Sequence, residues 1–175
     1  MNLNNNPSSN NYPLIIECCR IDPDSEKLES LARTITDWDS VLSSAYAHGV
    51  YPLIAKSLKT INAVPDTIKS DLKQISIHIA QLNMQKSSEL IRVVKALEEN
   101  GIRTLVIKGP LLSLMAHGNI TDRQYSDLDI MVNHDQIVKA VKILMDEGYS
   151  NLLPLKVLEN KTCLEIVKDF TVVNK

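Results

Sequence analysis

The stretch VIKGPLLSLMAHGNITDRQYSDLDIMV, residues 106–132, sets the pattern of the C-terminal half of the chain. It completes a β-rich run over residues 103–107, which predicts a strand. Residues 108–110, Lys-Gly-Pro, break that strand, and residues 111–116 predict a short helix that ends at His-Gly-Asn. Residues 128–132 predict a second strand. The stretch therefore predicts a strand, a helix and a strand in succession.

The alternation continues toward the C-terminus. Asn133 is expected to cap a helix over about residues 134–147, and Gly148 is expected to end it. Residues 164–173 predict a further strand. Strands that alternate with helices indicate a small mixed sheet with helices on one face. We therefore expect an α/β core over residues 101–175, so that the whole chain is of the α+β class.

The first hundred residues are predicted to be helical. Ser25 is expected to cap one helix and Asp37 to open another, because both side chains can accept hydrogen bonds from first-turn N–H groups. The longest periodic segment lies between residues 66 and 100, and its apolar face is expected to contain Ile68, Leu72, Ile75, Ile79 and Leu82. The Asn- and Ser-rich beginning predicts a disordered leader over residues 1–12. The helical region then covers residues 13–100.

The composition argues against several classes of protein. With a formal charge of −2 and no long run of like charge, the chain has no sign of a basic surface that would bind a nucleic-acid backbone. No segment approaches the ~18 uninterrupted apolar residues of a membrane span. Three cysteines, with Cys18 and Cys19 adjacent, cannot form a paired disulfide framework. We therefore expect a cytoplasmic protein with neither a membrane nor a nucleic acid as its partner.

Two aspartates, Asp127 and Asp129, flank Leu128 at the second predicted strand. Side chains alternate along a strand, so both carboxylates are expected on one side. Two close carboxylates repel each other, and a divalent cation such as Mg²⁺ removes that cost. Alternatively, the pair lies at a solvated strand end and binds nothing.

Lys108, Gly109 and Pro110 form the turn between the first predicted strand and its helix. Free N–H groups and a positive helix end favour phosphate there, glycine allows a ligand to approach the backbone, and Lys108 adds a positive charge. The alternative is a turn with no ligand. The aspartate pair that follows favours the phosphate interpretation.

These residues also resemble a known family. The segments GIRTLVIKGPLLSLMAHGN and DRQYSDLDIMV are similar to nucleotidyltransferases of the polymerase beta superfamily, and most closely to its branch of uncharacterised nucleotidyltransferase family proteins. In that branch a strand ends in Lys-Gly, a helix follows, and an Arg precedes an Asp-hydrophobic-Asp strand. The matching positions are Lys108, Gly109, Arg123, Asp127 and Asp129. The resemblance covers roughly residues 37–150 and implies a polymerase beta-like palm domain after a helical region.

The resemblance implies metal-dependent transfer of a nucleoside monophosphate from an NTP, with ATP expected, to a small-molecule, sugar or protein acceptor. Asp127 and Asp129 would bind Mg²⁺ or Mn²⁺ and act as catalytic residues. Gly109 would hold the triphosphate, with Lys108 and Arg123 binding phosphate charge. Arg123 has the alternative role of pairing with Asp122 or with the two aspartates.

Two departures from the family pattern affect this expectation. Many members place Ser or Gly after the glycine, whereas Pro110 offers neither a hydroxyl nor an N–H, and Ser113 one turn later is a substitute. The superfamily also uses a third acidic residue on a later strand. Asp169, with Glu165 nearby, is the candidate here, but the chain ends before the expected hairpin is complete.

We therefore expect a nucleotidyltransferase domain that is cut short at its C-terminus. A truncated gene product, an artificially shortened chain and a degenerate member all fit that expectation. Two alternatives to an active enzyme follow. One is a nucleotide-binding pseudoenzyme, and the other is a helical protein-interaction module in which the Asp-x-Asp sequence is incidental.

Overall fold

The computed structural model describes residues 11–160 and 171–174. These residues form an α+β arrangement in which helices predominate, as predicted. The elements in chain order are α1 (Tyr12–Cys18), α2 (Ser25–Arg33), α3 (Trp38–Ala47), α4 (Tyr51–Leu58), α5 (Asp66–Glu99), β1 (Thr104–Val106), α6 (Pro110–His117), β2 (Ile130–Val132), a 3₁₀ turn (His134–Gln136), α7 (Ile137–Asp146), β3 (Tyr149–Asn151), α8 (Leu155–Leu158) and β4 (Val172–Asn174).

The helix starts follow local capping chemistry. Asp24 caps α2, since its side chain accepts hydrogen bonds from the N–H groups of Glu26 and Lys27. The prediction that Ser25 caps this helix is therefore wrong by one residue, because an aspartate directly before it already accepts both bonds. The prediction for Asp37 is confirmed, since its side chain accepts a hydrogen bond from the N–H of Ser40 at the start of α3.

The long predicted helix is confirmed as α5, which runs from Asp66 to Glu99. Gly101 follows it with φ +75°, a left-handed conformation that glycine adopts without steric cost. No helix in the described parts of the chain combines the length and the apolar character needed to cross a membrane.

The described residues divide into two compact units, and the division falls within α5. The first unit contains the described residues up to Gln85, together with Pro110–Ser126. Its core lies among α1 to α4 and the first half of α5. The buried apolar side chains there include Leu14, Leu28, Val41, Tyr51, Ile54, Leu58, Ile61, Val64, Leu72 and Ile79.

The second unit contains Lys86–Gly109 and the described residues from Asp127 onward. Its core consists of Val93, Leu97, Ile102, Ala140 and Tyr149. Ile130 and Val132 of β2 pack against this core, while Met131 between them is exposed. One face of β2 is therefore buried and the other is open, as the alternation of strand side chains requires.

The second unit contains two separate two-stranded antiparallel sheets in its described part. Thr104 of β1 pairs with Val132 of β2, and Tyr149 of β3 pairs with Asn174 of β4. The expected single mixed sheet is therefore not what the described strands form. Both pairs, β1 with β2 and β3 with β4, are antiparallel, whereas a mixed sheet also requires a parallel pair.

The strands are shorter than predicted. The strand expected over residues 103–107 is Thr104–Val106, and the one expected over residues 128–132 is Ile130–Val132. The strand Tyr149–Asn151 was not expected at all. Most of the strand predicted over residues 164–173 lies outside the described residues, and its end overlaps Val172–Asn174.

Arg92 connects α5 to α7 and β3 within the second unit. Its guanidinium donates two hydrogen bonds to the Glu89 carboxylate, both 3.0 Å, and a third of 2.6 Å to Glu147. The same group lies 5.3 Å from the centroid of the Tyr149 ring, and the Tyr149 hydroxyl donates to Glu89. Hydrogen bonds from Arg92 hold the pKa of Glu89 below its ordinary value.

Candidate functional site

The β1–β2 pair brings Lys108 and Asp129 together. Val106 pairs with Ile130 in the sheet, and the N–H of Ile107 donates a 3.1 Å hydrogen bond to the carbonyl of Asp129. This bond extends the antiparallel hydrogen-bond pattern one residue beyond the ends of β1 and β2. Asp129 therefore lies opposite Ile107, one residue from Lys108.

The Asp129 carboxylate has one oxygen that is buried beside a lysine ammonium and accepts no hydrogen bond from the described residues. Its Oδ2 lies 3.5 Å from the Lys108 Nζ, and the two side chains are 34% and 58% exposed. That oxygen is itself buried and receives no hydrogen bond from the described residues. A buried carboxylate oxygen without hydrogen bonds is costly, because nothing replaces the water it has lost. The Lys108 ammonium offsets part of this cost by its charge, and a bound cation would offset more.

Asp127 is exposed and lies two residues earlier in the same unit. Both aspartates precede β2, which begins at Ile130, so the prediction that they flank a leucine inside a strand is wrong in its boundary. The physical reason is that regular pairing with β1 stops after the bond to the Asp129 carbonyl. The shared side of the two carboxylates stays a prediction.

Gly109 has φ +61° and is buried. This left-handed backbone conformation is unfavourable for residues with a Cβ, so the chain requires glycine where β1 leads into α6. Helix α6 begins at the next residue, Pro110. Proline suits this first helical position because it has no N–H to leave unsatisfied.

Ser113 and Arg123 belong to the first unit. Ser113 is fully buried, and its hydroxyl donates a 2.7 Å hydrogen bond to the carbonyl of Asn119. This geometry gives no support to the nucleotide-binding role predicted for Ser113, since its proton already has an acceptor. Arg123 is partly exposed and makes no ion pair with the described residues. Its alternative partner, Asp122, pairs instead with Lys56 at 2.7 Å.

Asn83 is a residue that the sequence analysis missed. It lies in the first half of α5, is 1% exposed, and its amide donates hydrogen bonds to the carbonyls of Ile120 and Arg123. The Tyr125 hydroxyl donates to the main-chain carbonyl of Asn83. The signal in the sequence is a polar residue four positions after Ile79, on the apolar stripe of the helix.

The residues of the second unit partly fit a divalent metal. Mg²⁺ takes oxygen ligands, and it uses one or two protein carboxylates together with waters and substrate phosphates. Asp129, with its unbonded oxygen, and Asp127 supply that chemistry. Among residues 11–160 and 171–174, no group of three or more His, Cys, Asp or Glu side chains could hold a metal ion. The predicted third acid, Asp169, lies outside the described residues, as does Glu165.

Comparison with known proteins identifies the family to which the chain belongs. The model of a family described as "Uncharacterised nucleotidyltransferase" matches residues 34–165, which is more than half of the 175-residue chain. The chain belongs to this family. No curated protein and no solved structure is significantly similar to it. The match confirms the resemblance inferred from the motif, and the matched segment contains Lys108, Gly109 and both aspartates.

Proposed function

We propose that the chain is a metal-dependent nucleotidyltransferase that moves a nucleoside monophosphate from an NTP to a hydroxyl or phosphate acceptor. The observation that supports this best is the Asp129 carboxylate, which has a buried oxygen without a hydrogen bond beside the Lys108 ammonium. Family membership supplies the reaction class. A site that binds a cation and phosphate explains both the unbonded oxygen and the nearby positive charge.

Asp129 and Asp127 would hold Mg²⁺ or Mn²⁺ through their carboxylate oxygens. When bound, such ions stabilise the charge on the attacking and leaving oxygens of a phosphoryl group. Lys108 would exchange its ion pair with Asp129 for a phosphate oxygen, since its ammonium can donate three hydrogen bonds. Gly109 would let a phosphate approach the backbone closely, because it has no side chain to block it.

The substrates follow from the resemblance together with the composition. ATP is the proposed nucleotide, and the acceptor is a small molecule, a sugar or a protein. Asp169 is the proposed third acid, and Arg123 a proposed phosphate ligand. The formal charge of −2 does not favour a nucleic-acid acceptor. The free thiols of Cys18 and Cys19 suit the reducing cytoplasm.

A second candidate function is nucleotide binding without turnover. The observation that favours it is the Lys108–Asp129 ion pair, because an ammonium group already neutralises the carboxylate that would bind the metal. In that case the nucleotide would bind, and pyrophosphate would not be released.

The two functions are separated by measuring binding and turnover on one protein. Calorimetry with Mg²⁺ and each of ATP, GTP, CTP and UTP measures binding, and pyrophosphate release in the presence of mixed sugar and protein acceptors measures turnover. The variant with both Asp127→Asn and Asp129→Asn is expected to lose Mg²⁺-dependent binding. Asp146→Asn, the same change at an exposed position of the same unit, is the matched control.

The proposal fails if no nucleotide binds the wild-type chain, or if the double variant binds as tightly as the control. Binding that depends on the aspartates without any release of pyrophosphate would support the second function instead.

A further inference from the structure

The β1–β2 sheet of the second unit is apolar on both of its faces. Ile130 and Val132 pack against the core of this unit. On the opposite face, Leu105 is 61% exposed, Met131 is 54% exposed and Ile107 is 45% exposed. An antiparallel sheet with one buried face ordinarily has polar residues on its other face. The open face of this sheet is therefore an apolar surface that packing among the described residues does not explain.

The strand register joins these three exposed side chains into one patch. Leu105 pairs directly with Met131, and the N–H of Ile107 donates to the carbonyl of Asp129 at the next position of the same face. Side chains two residues apart on a strand share a face, and so do side chains directly opposite each other on neighbouring strands. Leu105, Ile107 and Met131 therefore form a contiguous surface, which we call the open-face patch. Contiguous exposed apolar surface is typical of ligand-binding sites and of protein interfaces.

The open-face patch adjoins the candidate cation site. Asp129 lies opposite Ile107 and two residues before Met131, so the register puts it on the same face of the sheet. Its Oδ2, which accepts no hydrogen bond from the described residues, lies 3.5 Å from the Lys108 Nζ. Binding sites for small molecules combine apolar surface with a few polar groups that fix the orientation of the ligand. The second unit places both kinds of group side by side.

The position of the patch fits the nucleoside part of an NTP. Residues along a strand are about 3.3 Å apart, so Leu105 lies about 7 Å from Ile107, on the side away from Lys108. In the proposed site, the outer phosphates lie at Lys108 and the α-phosphate lies near an ion held by Asp129. The nucleoside leaves the α-phosphate in the direction away from the outer phosphates. Its sugar and base then extend over the open-face patch.

We propose that the open-face patch is the surface against which the base of the NTP packs. This inference rests on the proposed function and adds to it the way in which the base is recognised. Leucine and isoleucine side chains have no hydrogen-bonding group, and the methionine sulfur is only a weak acceptor, so the patch contacts the flat face of a base and does not read its edge. Affinity then follows the apolar area that is buried. ATP and GTP should bind alike, and both should bind more tightly than CTP and UTP, whose bases are smaller.

Calorimetry with two kinds of probe separates the base from the phosphates. The probes are the four NTPs and inorganic triphosphate, each with Mg²⁺, and the triphosphate has the phosphate chain without a nucleoside. The test variant combines Leu105→Thr with Met131→Thr, because threonine is favoured in strands and removes most of the apolar surface. Leu152→Thr is the matched control, since it changes a leucine that is 63% exposed in the same unit but lies in neither β1 nor β2.

We expect the double variant to bind ATP and GTP about tenfold less tightly than the wild type does, because the base loses most of its apolar contact. Its affinity for inorganic triphosphate should change by no more than about twofold, since the patch does not contact the phosphates. Leu152→Thr should bind every probe as the wild type does. Retained binding of triphosphate also shows that the phosphate site of the double variant is folded.

Met131→Thr alone provides the same test if the double variant does not fold. It changes one exposed side chain, and we expect it to weaken ATP binding by about threefold with triphosphate binding unchanged.

The outcomes separate this inference from the proposed function. Unchanged ATP affinity in the variants would overturn the inference while leaving the proposed function intact, and the patch would then be available to the acceptor or to another protein. Equal losses for ATP and triphosphate in Met131→Thr would also overturn it, because the change would act on the phosphate site. Failure of the wild-type chain to bind either ATP or triphosphate would overturn the proposed function, and this inference with it.

Discussion

Arg92→Met is expected to destabilise the second unit measurably. The substitution removes the two hydrogen bonds to Glu89, the bond to Glu147, and the hydrogen bond and ring contact with Tyr149. Methionine preserves most of the apolar length of the side chain, so the loss reports on the charged end. It also leaves the Glu89 and Glu147 carboxylates without their shared cation.

The expected magnitude follows from exposure and geometry. Arg92 is 41% exposed, so each ion pair is screened by water and contributes no more than about 1 kcal/mol. The bidentate bond to Glu89 is near that limit, the bond to Glu147 contributes about half as much, and the ring contact adds about 0.5 kcal/mol. The loss is therefore about 2 kcal/mol, which lowers the melting temperature of a chain of this size by about 4–8 °C.

Two matched variants define the result. Arg33→Met removes one exposed ion pair, to Glu29 at 2.9 Å, and should cost about 0.3–0.5 kcal/mol. Arg92→Lys keeps the charge and loses the bidentate geometry, so it should fall between the two. Thermal unfolding followed by circular dichroism measures all three. If Arg92→Met lowers stability no more than Arg33→Met, the network does not hold the unit together.

The loss from Arg92→Met should also depend on pH. Hydrogen bonds from Arg92 hold the pKa of Glu89 below its ordinary value of 4.5. A group whose pKa is lower in the folded state contributes stability above the unfolded pKa, and this contribution disappears as the pH falls through the folded pKa. The difference between wild type and Arg92→Met should be constant well above pH 4.5 and should shrink below it.

Three further predictions concern the candidate site and the helical core. Asp129→Asn should change the unfolding free energy of the ligand-free chain by less than about 1 kcal/mol. With Mg²⁺ and NTP at ~100 times the dissociation constant, the unfolding free energy of wild type and of the control Asp146→Asn should rise by about 2.7 kcal/mol, and Asp129→Asn should abolish this rise. Gly109 and Gly101 have φ +61° and φ +75°, so replacing either with alanine should lower the unfolding free energy in urea by about 1–2 kcal/mol. Only Gly109→Ala should also weaken nucleotide binding in calorimetry. The buried Tyr51 hydroxyl has no hydrogen-bond partner among the described residues, and burial raises its pKa to about 12, so Tyr51→Phe should leave urea stability unchanged or raise it.

The elements that the sequence predicted well are those set by local chemistry. Helix α5 was predicted nearly to its ends, because its apolar period and the glycine after it are local signals. The glycine of Lys108-Gly109-Pro110 was likewise predicted as a turn, since its left-handed conformation depends on one residue. The family motif was recognised for the same reason, because its residues lie close together in the chain.

The elements that were missed depend on distant partners. Strand β3, with the sequence Tyr-Ser-Asn, contains no β-branched residue, and it becomes a strand because it pairs with β4 more than twenty residues later. The expectation of a single mixed sheet is wrong for a similar reason. An alternating pattern of strands and helices does not reveal which strands pair, or in which direction.

The features of the candidate site that depend on distant partners were likewise not predicted. The pairing of Lys108 with Asp129 was not predicted as an ion pair, since the two residues are brought together by the register of β1 with β2. The apolar pattern of α5 predicted Leu82 in the buried face after Ile79, whereas the structure buries Asn83. Steps of three and of four both fit a helix, and hydropathy alone favours the leucine. The choice is made by the loop that contains Arg123, because its backbone carbonyls need a donor that leucine cannot supply.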